Sequence, residues 1–85
     1  MSLADLKRRY RWQCRRGASE VEVVLYGYLD HHFEQDSEAN RALFPKLLEC
    51  ADVDMLEWFT TRSEPQDPEL RAYVRHILGL VSASS

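Results

Sequence analysis

The apolar residues recur every three or four positions, the spacing of an α-helix, in successive segments separated by short polar stretches. In the first segment, residues 3–14, one helical face carries Leu3, Leu6, Tyr10 and Cys14. At about 100° per residue, Trp12 falls nearly opposite this face, among arginines. The pattern therefore predicts an amphipathic helix with a tryptophan on its polar side.

Gly17 separates this first predicted helix from a second one. A glycine fits the left-handed position that ends a helix, because it has no Cβ to clash there. Ser19 is expected to cap the second helix, and Glu20 in its first turn is favoured by the helix dipole. The second apolar stripe consists of Val21, Val24, Leu25, Tyr28 and Leu29.

Three further helices follow along the chain. Asp36 or Ser37 is expected to open the third, and Pro45 predicts a kink or a restart within it. Residues 52–59 form a short fourth helix, and Asp67 followed by Pro68 is a typical opening for the fifth. We predict an all-α fold, a compact bundle of about five short helices in a single domain, residues 1–81, followed by a frayed tail, residues 82–85.

The composition limits the classes of protein to which the chain can belong. The 85 residues are 45% hydrophobic and 29% charged, which is typical of one ordinary globular domain. Cys14 and Cys50 lie within helical patterns, and no signal-peptide pattern or long apolar run is present, so we expect reduced thiols and a cytoplasmic location without membrane insertion.

The net charge of −3 conceals an asymmetry. Residues 1–17 carry six basic side chains and one acidic, a balance of +5, whereas the other 68 residues carry five basic and thirteen acidic, a balance of −8. A basic patch on an acidic body steers the docking of a charged partner.

Recognisable catalytic chemistry is lacking in the sequence. No phosphate-binding or dinucleotide-binding glycine motif occurs, and no metalloprotease motif. His31 and His32 are adjacent and point about 100° apart on a helix, so they do not chelate one metal ion. We therefore expect no metal site and no enzyme activity.

Three interpretations of Trp12 and its neighbouring arginines remain open at this point. Nucleic-acid binding would use the arginines for phosphates and the tryptophan for stacking. Protein docking would use both residue types as interface anchors. Alternatively, a later helix covers Trp12 and makes it part of the core.

Three segments of the chain resemble the sequence pattern of a known protein family. Arg16-Gly17-Ala18-Ser19-Glu20 follows "RWQCR", the segment "LFPKLLECADVDMLEWF" comes next, and "DPELRAYVRHI" closes the pattern. Together they resemble the small FAD assembly factors of succinate dehydrogenase (the SdhE family and its mitochondrial relatives), whose hallmark is R-G-x-x-E. The resemblance covers roughly residues 6–78. Ala18, where bacterial members commonly carry methionine, and Pro45 depart from it.

The resemblance implies a helical bundle that is not an enzyme. It implies binding to the flavoprotein subunit of succinate dehydrogenase, and in bacteria also of fumarate reductase, with promotion of covalent FAD attachment to that subunit. The partner, rather than this chain, would hold the FAD. The implied partner-binding residues are Arg9, Trp12, Arg15, Arg16, Gly17 and Glu20.

Within this implied site, Gly17 would allow close backbone approach, Arg16 and Glu20 would offer opposite charges, and Trp12 would anchor the edge. We expect a monomer that does not bind nucleic acid. A weak dimer remains an alternative, formed through a spare apolar face such as Val23, Tyr26 or Trp58. The alternative function is a small helical adaptor that binds nucleic acid or another acidic partner through its basic first helix.

Overall fold

Residues 2–84 are described by the computed structural model, and they contain five α-helices and no strand. The helices are α1 (Leu3–Gln13), α2 (Ser19–His31), α3 (Glu38–Leu48), α4 (Asp52–Phe59) and α5 (Pro68–Ser84). The predicted all-α bundle of about five helices is therefore confirmed. The radius of gyration of the Cα atoms is 11.9 Å.

Polar side chains begin three of the helices by satisfying backbone N–H groups that have no partner within the helix. The Ser2 hydroxyl accepts from the Asp5 N–H at 3.2 Å, and the Ser37 hydroxyl accepts from the Asn40 N–H at 3.1 Å. The Asp67 carboxylate accepts from the Glu69 N–H at 2.9 Å. The predicted caps of α3 and α5 are thus confirmed.

The core lies around α2, which packs against α1, α4 and α5. Its centre is a cluster of aromatic rings in which Tyr28 lies 5.4 Å from Phe44 and 5.8 Å from Tyr73, measured between ring centroids. The buried apolar residues are Cys14, Val21, Leu25, Tyr28, Leu29, Phe33, Phe44, Leu47, Leu48, Met55, Phe59, Leu70, Tyr73, Val74 and Ile77. The apolar stripes read from the sequence therefore face this core.

Two boundaries differ from the sequence-based expectation. Of the kink or restart predicted at Pro45, the restart is wrong, because α3 continues through Pro45 to Leu48. Phe44 and Leu47, on either side of the proline, are fully buried, and their burial favours the continuous helix over the hydrogen bond that proline lacks. We expected a frayed tail from residue 82, but α5 continues to Ser84, and Ser85 lies outside the described residues.

Candidate functional site

The turn between α1 and α2 begins at Cys14. This residue caps α1 in a right-handed conformation, with φ −79° and ψ −12°, and its side chain is fully buried. Gly17 does not have a positive φ, so the left-handed helix stop predicted there is wrong. The last turn of α1 tightens, with the Arg15 N–H donating to the Trp12 carbonyl at 3.3 Å, so the helix ends at a right-handed Cys14 and the turn needs no left-handed residue.

The start of α2 also differs from the prediction. Ala18, in an extended conformation, is the N-cap and forms no side-chain cap, while Ser19 is already the first helical residue. The predicted Ser19 cap is therefore wrong. Instead, the Glu22 carboxylate accepts a hydrogen bond from the Arg16 N–H at 3.1 Å. This bond holds the connecting turn against the first turn of α2.

The Arg16 guanidinium points into the protein. It donates to the Gln13 carbonyl at 2.9 Å and to the Asp52 carboxylate at 2.8 Å. It also donates to the Leu48 carbonyl and, at 3.3 Å, to the Cys50 carbonyl. The side chain is 16% exposed. We name this arrangement the Arg16 clamp.

The Arg16 clamp joins the end of α1 to the connection between α3 and α4. A cation is favourable there because the last carbonyls of α3 point towards it and carry the negative end of the helix dipole. The arginine charge is therefore used within the fold, where it positions the turn. Direct contact of Arg16 with a partner stays a prediction.

Gly17 and Glu20 lie on the outer side of the clamped turn. Both are exposed, and a Cβ added at Gly17 would meet no atom within 4 Å. Within residues 2–84, Glu20 forms no ion pair. The fold thus exposes the backbone of Gly17 in the turn and, in the first turn of α2, the Glu20 carboxylate, which has no ion pair among the described residues.

Trp12 is 68% exposed, so the interpretation of Trp12 as a core residue is wrong. The α1 side chains that pack on the core are Leu6, Tyr10 and Cys14, and this orientation leaves the indole pointing outward. The Arg15 guanidinium lies 5.5 Å from the Trp12 ring centroid, within the range of a cation–π contact.

The Trp12 cleft is a shallow depression of about 260 Å³ lined by Arg8, Arg11, Trp12, Arg15 and Tyr26. Arg11 stacks 4.9 Å from the Tyr26 ring centroid and pairs with Asp30. Arg9 is exposed on the same helix. The structure therefore gathers Trp12, Arg15 and an aromatic side chain of α2 into one surface.

Val23, Tyr26 and Trp58, each named as a candidate for a spare apolar face, line three different depressions. Tyr26 lines the Trp12 cleft, and Val23 lines a groove between α2 and α4 with Phe59 and Thr60 across from it. Trp58 packs on the core and lines a third depression beside Arg75. Sequence reasoning missed the groove, because only the packing of α4 against α2 creates it.

The remaining chemistry of the described residues is sparse. No group of histidine, cysteine, aspartate and glutamate side chains in residues 2–84 could hold a metal ion. Cys14 and Cys50 are free thiols, and burial raises the pKa of the Cys14 thiol to about 12, which makes it a poor nucleophile. None of the helices in this part of the chain is long and apolar enough to cross a membrane.

Comparison with known proteins identifies the family. The family model described as flavinator of succinate dehydrogenase matches residues 8–81. A relative from Pseudomonas aeruginosa named FAD assembly factor SdhE is 44% identical over 77 residues, which are 91% of this chain and 90% of the relative. A protein of the same name from Idiomarina loihiensis is 37% identical over 75 residues, 88% of this chain and 83% of the relative. The chain therefore belongs to the family of succinate dehydrogenase flavinators.

Proposed function

We propose that this chain binds the flavoprotein subunit of succinate dehydrogenase and promotes covalent attachment of FAD to it. Family membership supports the partner and the process. The observation that carries the proposal is the turn held by the Arg16 clamp, beside which Gly17 and Glu20 are exposed, Gly17 with no atom near its missing Cβ and Glu20 without an ion pair among the described residues. The flavoprotein subunit of fumarate reductase is a second partner under the same proposal.

The chain acts in this proposal as an assembly factor and not as an enzyme. By binding the flavoprotein conformation in which the attachment site faces the flavin, it raises the population of that conformation. The bond forms within the partner. In this proposal FAD is held by the flavoprotein, because the depressions found on the described residues are open to solvent, whereas cofactor sites bury most of their ligand.

The ion pairs of the basic helix favour a protein partner over nucleic acid. Lys7, Arg8, Arg11 and Arg16 each lie next to a carboxylate, which lowers the positive potential of this helix. Among residues 1–17, the basic side chains without an ion pair in the described part of the chain are Arg9 and Arg15. Two free cations support few phosphate contacts. A gel shift at low salt with retarded nucleic acid would revive the adaptor alternative.

The test is in-gel flavin fluorescence of the flavoprotein subunit in cells that carry variants of this chain. We expect Gly17→Arg and Glu20→Ala to fold normally and to reduce the fluorescence, since both residues are exposed and substitutions at such sites change stability by about 0.5 kcal/mol or less.

Matched controls separate contact from folding. Gly79→Arg alters another glycine with open space around its Cβ, and Glu38→Ala alters an acidic residue in the first turn of α3. Both controls should keep normal fluorescence. Normal fluorescence with Gly17→Arg and Glu20→Ala as well would contradict the docking role of the turn.

A further inference from the structure

The first turns of α2 and the end of α4 enclose a shallow groove. We name it the α2–α4 groove; its volume is about 320 Å³, and it is lined by Ser19, Glu20, Val23, Val24, Phe59 and Thr60. At about 100° per residue, Val23 lies between Tyr26, at the edge of the Trp12 cleft, and Glu20. The groove therefore continues the surface that carries the clamped turn.

The inner surface of the groove is apolar. Val23 is 66% exposed, Val24 is partly buried, and Phe59 belongs to the core. The Thr60 hydroxyl donates to the Leu56 carbonyl at 2.6 Å, so it is already satisfied within α4. Exposed apolar side chains beside a depression are typical of sites where an apolar group of another molecule is buried.

Glu20 is the charged residue among those that line the groove. It forms no ion pair with any other described residue. Covering this carboxylate with an uncharged surface would remove its water without compensation. Hydrogen-bond donors on the occupant can replace that water, and a lysine or arginine next to its apolar side chain does so with the strongest bonds.

We propose that the α2–α4 groove receives a segment of the flavoprotein in which an apolar side chain adjoins a lysine or arginine. The apolar side chain packs on Val23, Val24 and Phe59, and the cation pairs with Glu20. This inference rests on the proposed function and deepens it, because Glu20 belongs both to the clamped turn and to the groove.

A second copy of this chain is the competing occupant. That copy would have to bring one of its own cations to Glu20, and many of its cations already pair with carboxylates within the described residues: Lys7, Arg8, Arg11, Arg16, Lys46 and Arg75. The flavoprotein, the partner that family membership supports, is the occupant to which the proposal commits.

Photo-crosslinking tests the occupant directly. A benzophenone amino acid replaces Val23 in one variant and Val53 in the other; Val53 is 67% exposed and lies about 9 Å before Phe59 along α4. With the purified flavoprotein subunit present, the probe at 23 should crosslink to a peptide with a lysine or arginine beside an apolar residue. Equal crosslinking from position 53, or crosslinks between copies of this chain alone, would overturn the proposal.

Affinity measurements separate this inference from the proposed function. Val23→Asp should weaken binding to the flavoprotein about tenfold or more, and Val53→Asp should leave it nearly unchanged. If Gly17→Arg abolishes binding while Val23→Asp keeps full affinity, the groove assignment fails and the proposed function stands. If the unmodified chain does not bind the flavoprotein at all, both fail.

Discussion

Arg16→Ala should destabilise the fold, although Arg16 belongs to the motif that suggests partner binding. The substitution removes the guanidinium that donates to the carbonyls of Leu48 and Cys50 and pairs with Asp52. These acceptors belong to α3, the following connection and α4. The variant therefore loses the link between the end of α1 and the other half of the bundle.

The magnitude follows from the exposure of the groups involved. A hydrogen bond from a charged donor contributes about 1.5–3 kcal/mol when buried, and the Arg16 side chain is 16% exposed. The Asp52 side chain is 43% exposed, so solvent screening reduces the ion pair to about 0.5 kcal/mol. Water replaces the hydrogen bonds of some of the freed carbonyls, which reduces the loss. Together these losses give about 2–3 kcal/mol, or about 10–20 °C in Tm for a domain of this size.

Thermal unfolding followed by far-UV circular dichroism measures this loss. Arg15→Ala is the matched control, because Arg15 is the exposed neighbouring arginine and its loss should change the free energy of unfolding by about 0.5 kcal/mol or less. Arg16→Lys should recover only part of the stability, since lysine lacks the fork that reaches several acceptors. A Tm for Arg16→Ala within about 3 °C of the unmodified protein would refute the clamp.

Two further predictions concern the core network and the cleft. Burial would raise the pKa of Asp36, but hydrogen bonds from Tyr28, Asn40 and His76 outweigh burial and lower the pKa from 3.8 to about 2. The ionised Asp36 carboxylate therefore contributes about 2 kcal/mol to the free energy of unfolding above pH 3.8, and this contribution is lost as the pH falls through about 2. The free energy of unfolding in urea should therefore be lower for Asp36→Asn than for the unmodified protein at neutral pH, and the two values should converge near pH 2. A difference between them that does not change with pH would contradict this prediction. Trp12→Ala should leave Tm nearly unchanged but weaken flavoprotein binding about tenfold, and unchanged affinity in calorimetry would remove Trp12 as an anchor.

The helices could be predicted because each one carries its own local information. The predicted fourth helix, residues 52–59, matches α4, and the first predicted segment, residues 3–14, differs from α1 by its last residue. Ser37 and Asp67 are caps whose effect reaches only two or three residues along the chain. Local patterns of this kind need no knowledge of the tertiary contacts.

The arrangement of the site could not be predicted in the same way. The Arg16 acceptors Leu48, Cys50 and Asp52 lie 32 to 36 residues away in sequence, and only the packed bundle brings them together. Local rules also gave wrong results here. They assigned the helix stop to a left-handed Gly17, whereas α1 ends three residues earlier, at Cys14 in a right-handed conformation.

The structure shows that the fold of the free chain requires one residue of the R-G-x-x-E motif, Arg16, and does not require another, Gly17. Arg16 is required by the free chain, because it holds three parts of the fold together. Gly17 is not required, since its φ is not positive and its missing Cβ would meet no neighbour. An alanine at such a position would even restrict the unfolded chain and raise stability by about 0.4–1 kcal/mol. A requirement for Gly17 can therefore arise only in a complex, where a partner backbone approaches closer than a side chain permits. Loss of flavinylation by Gly17→Arg would then report contact with the flavoprotein and not the stability of this chain.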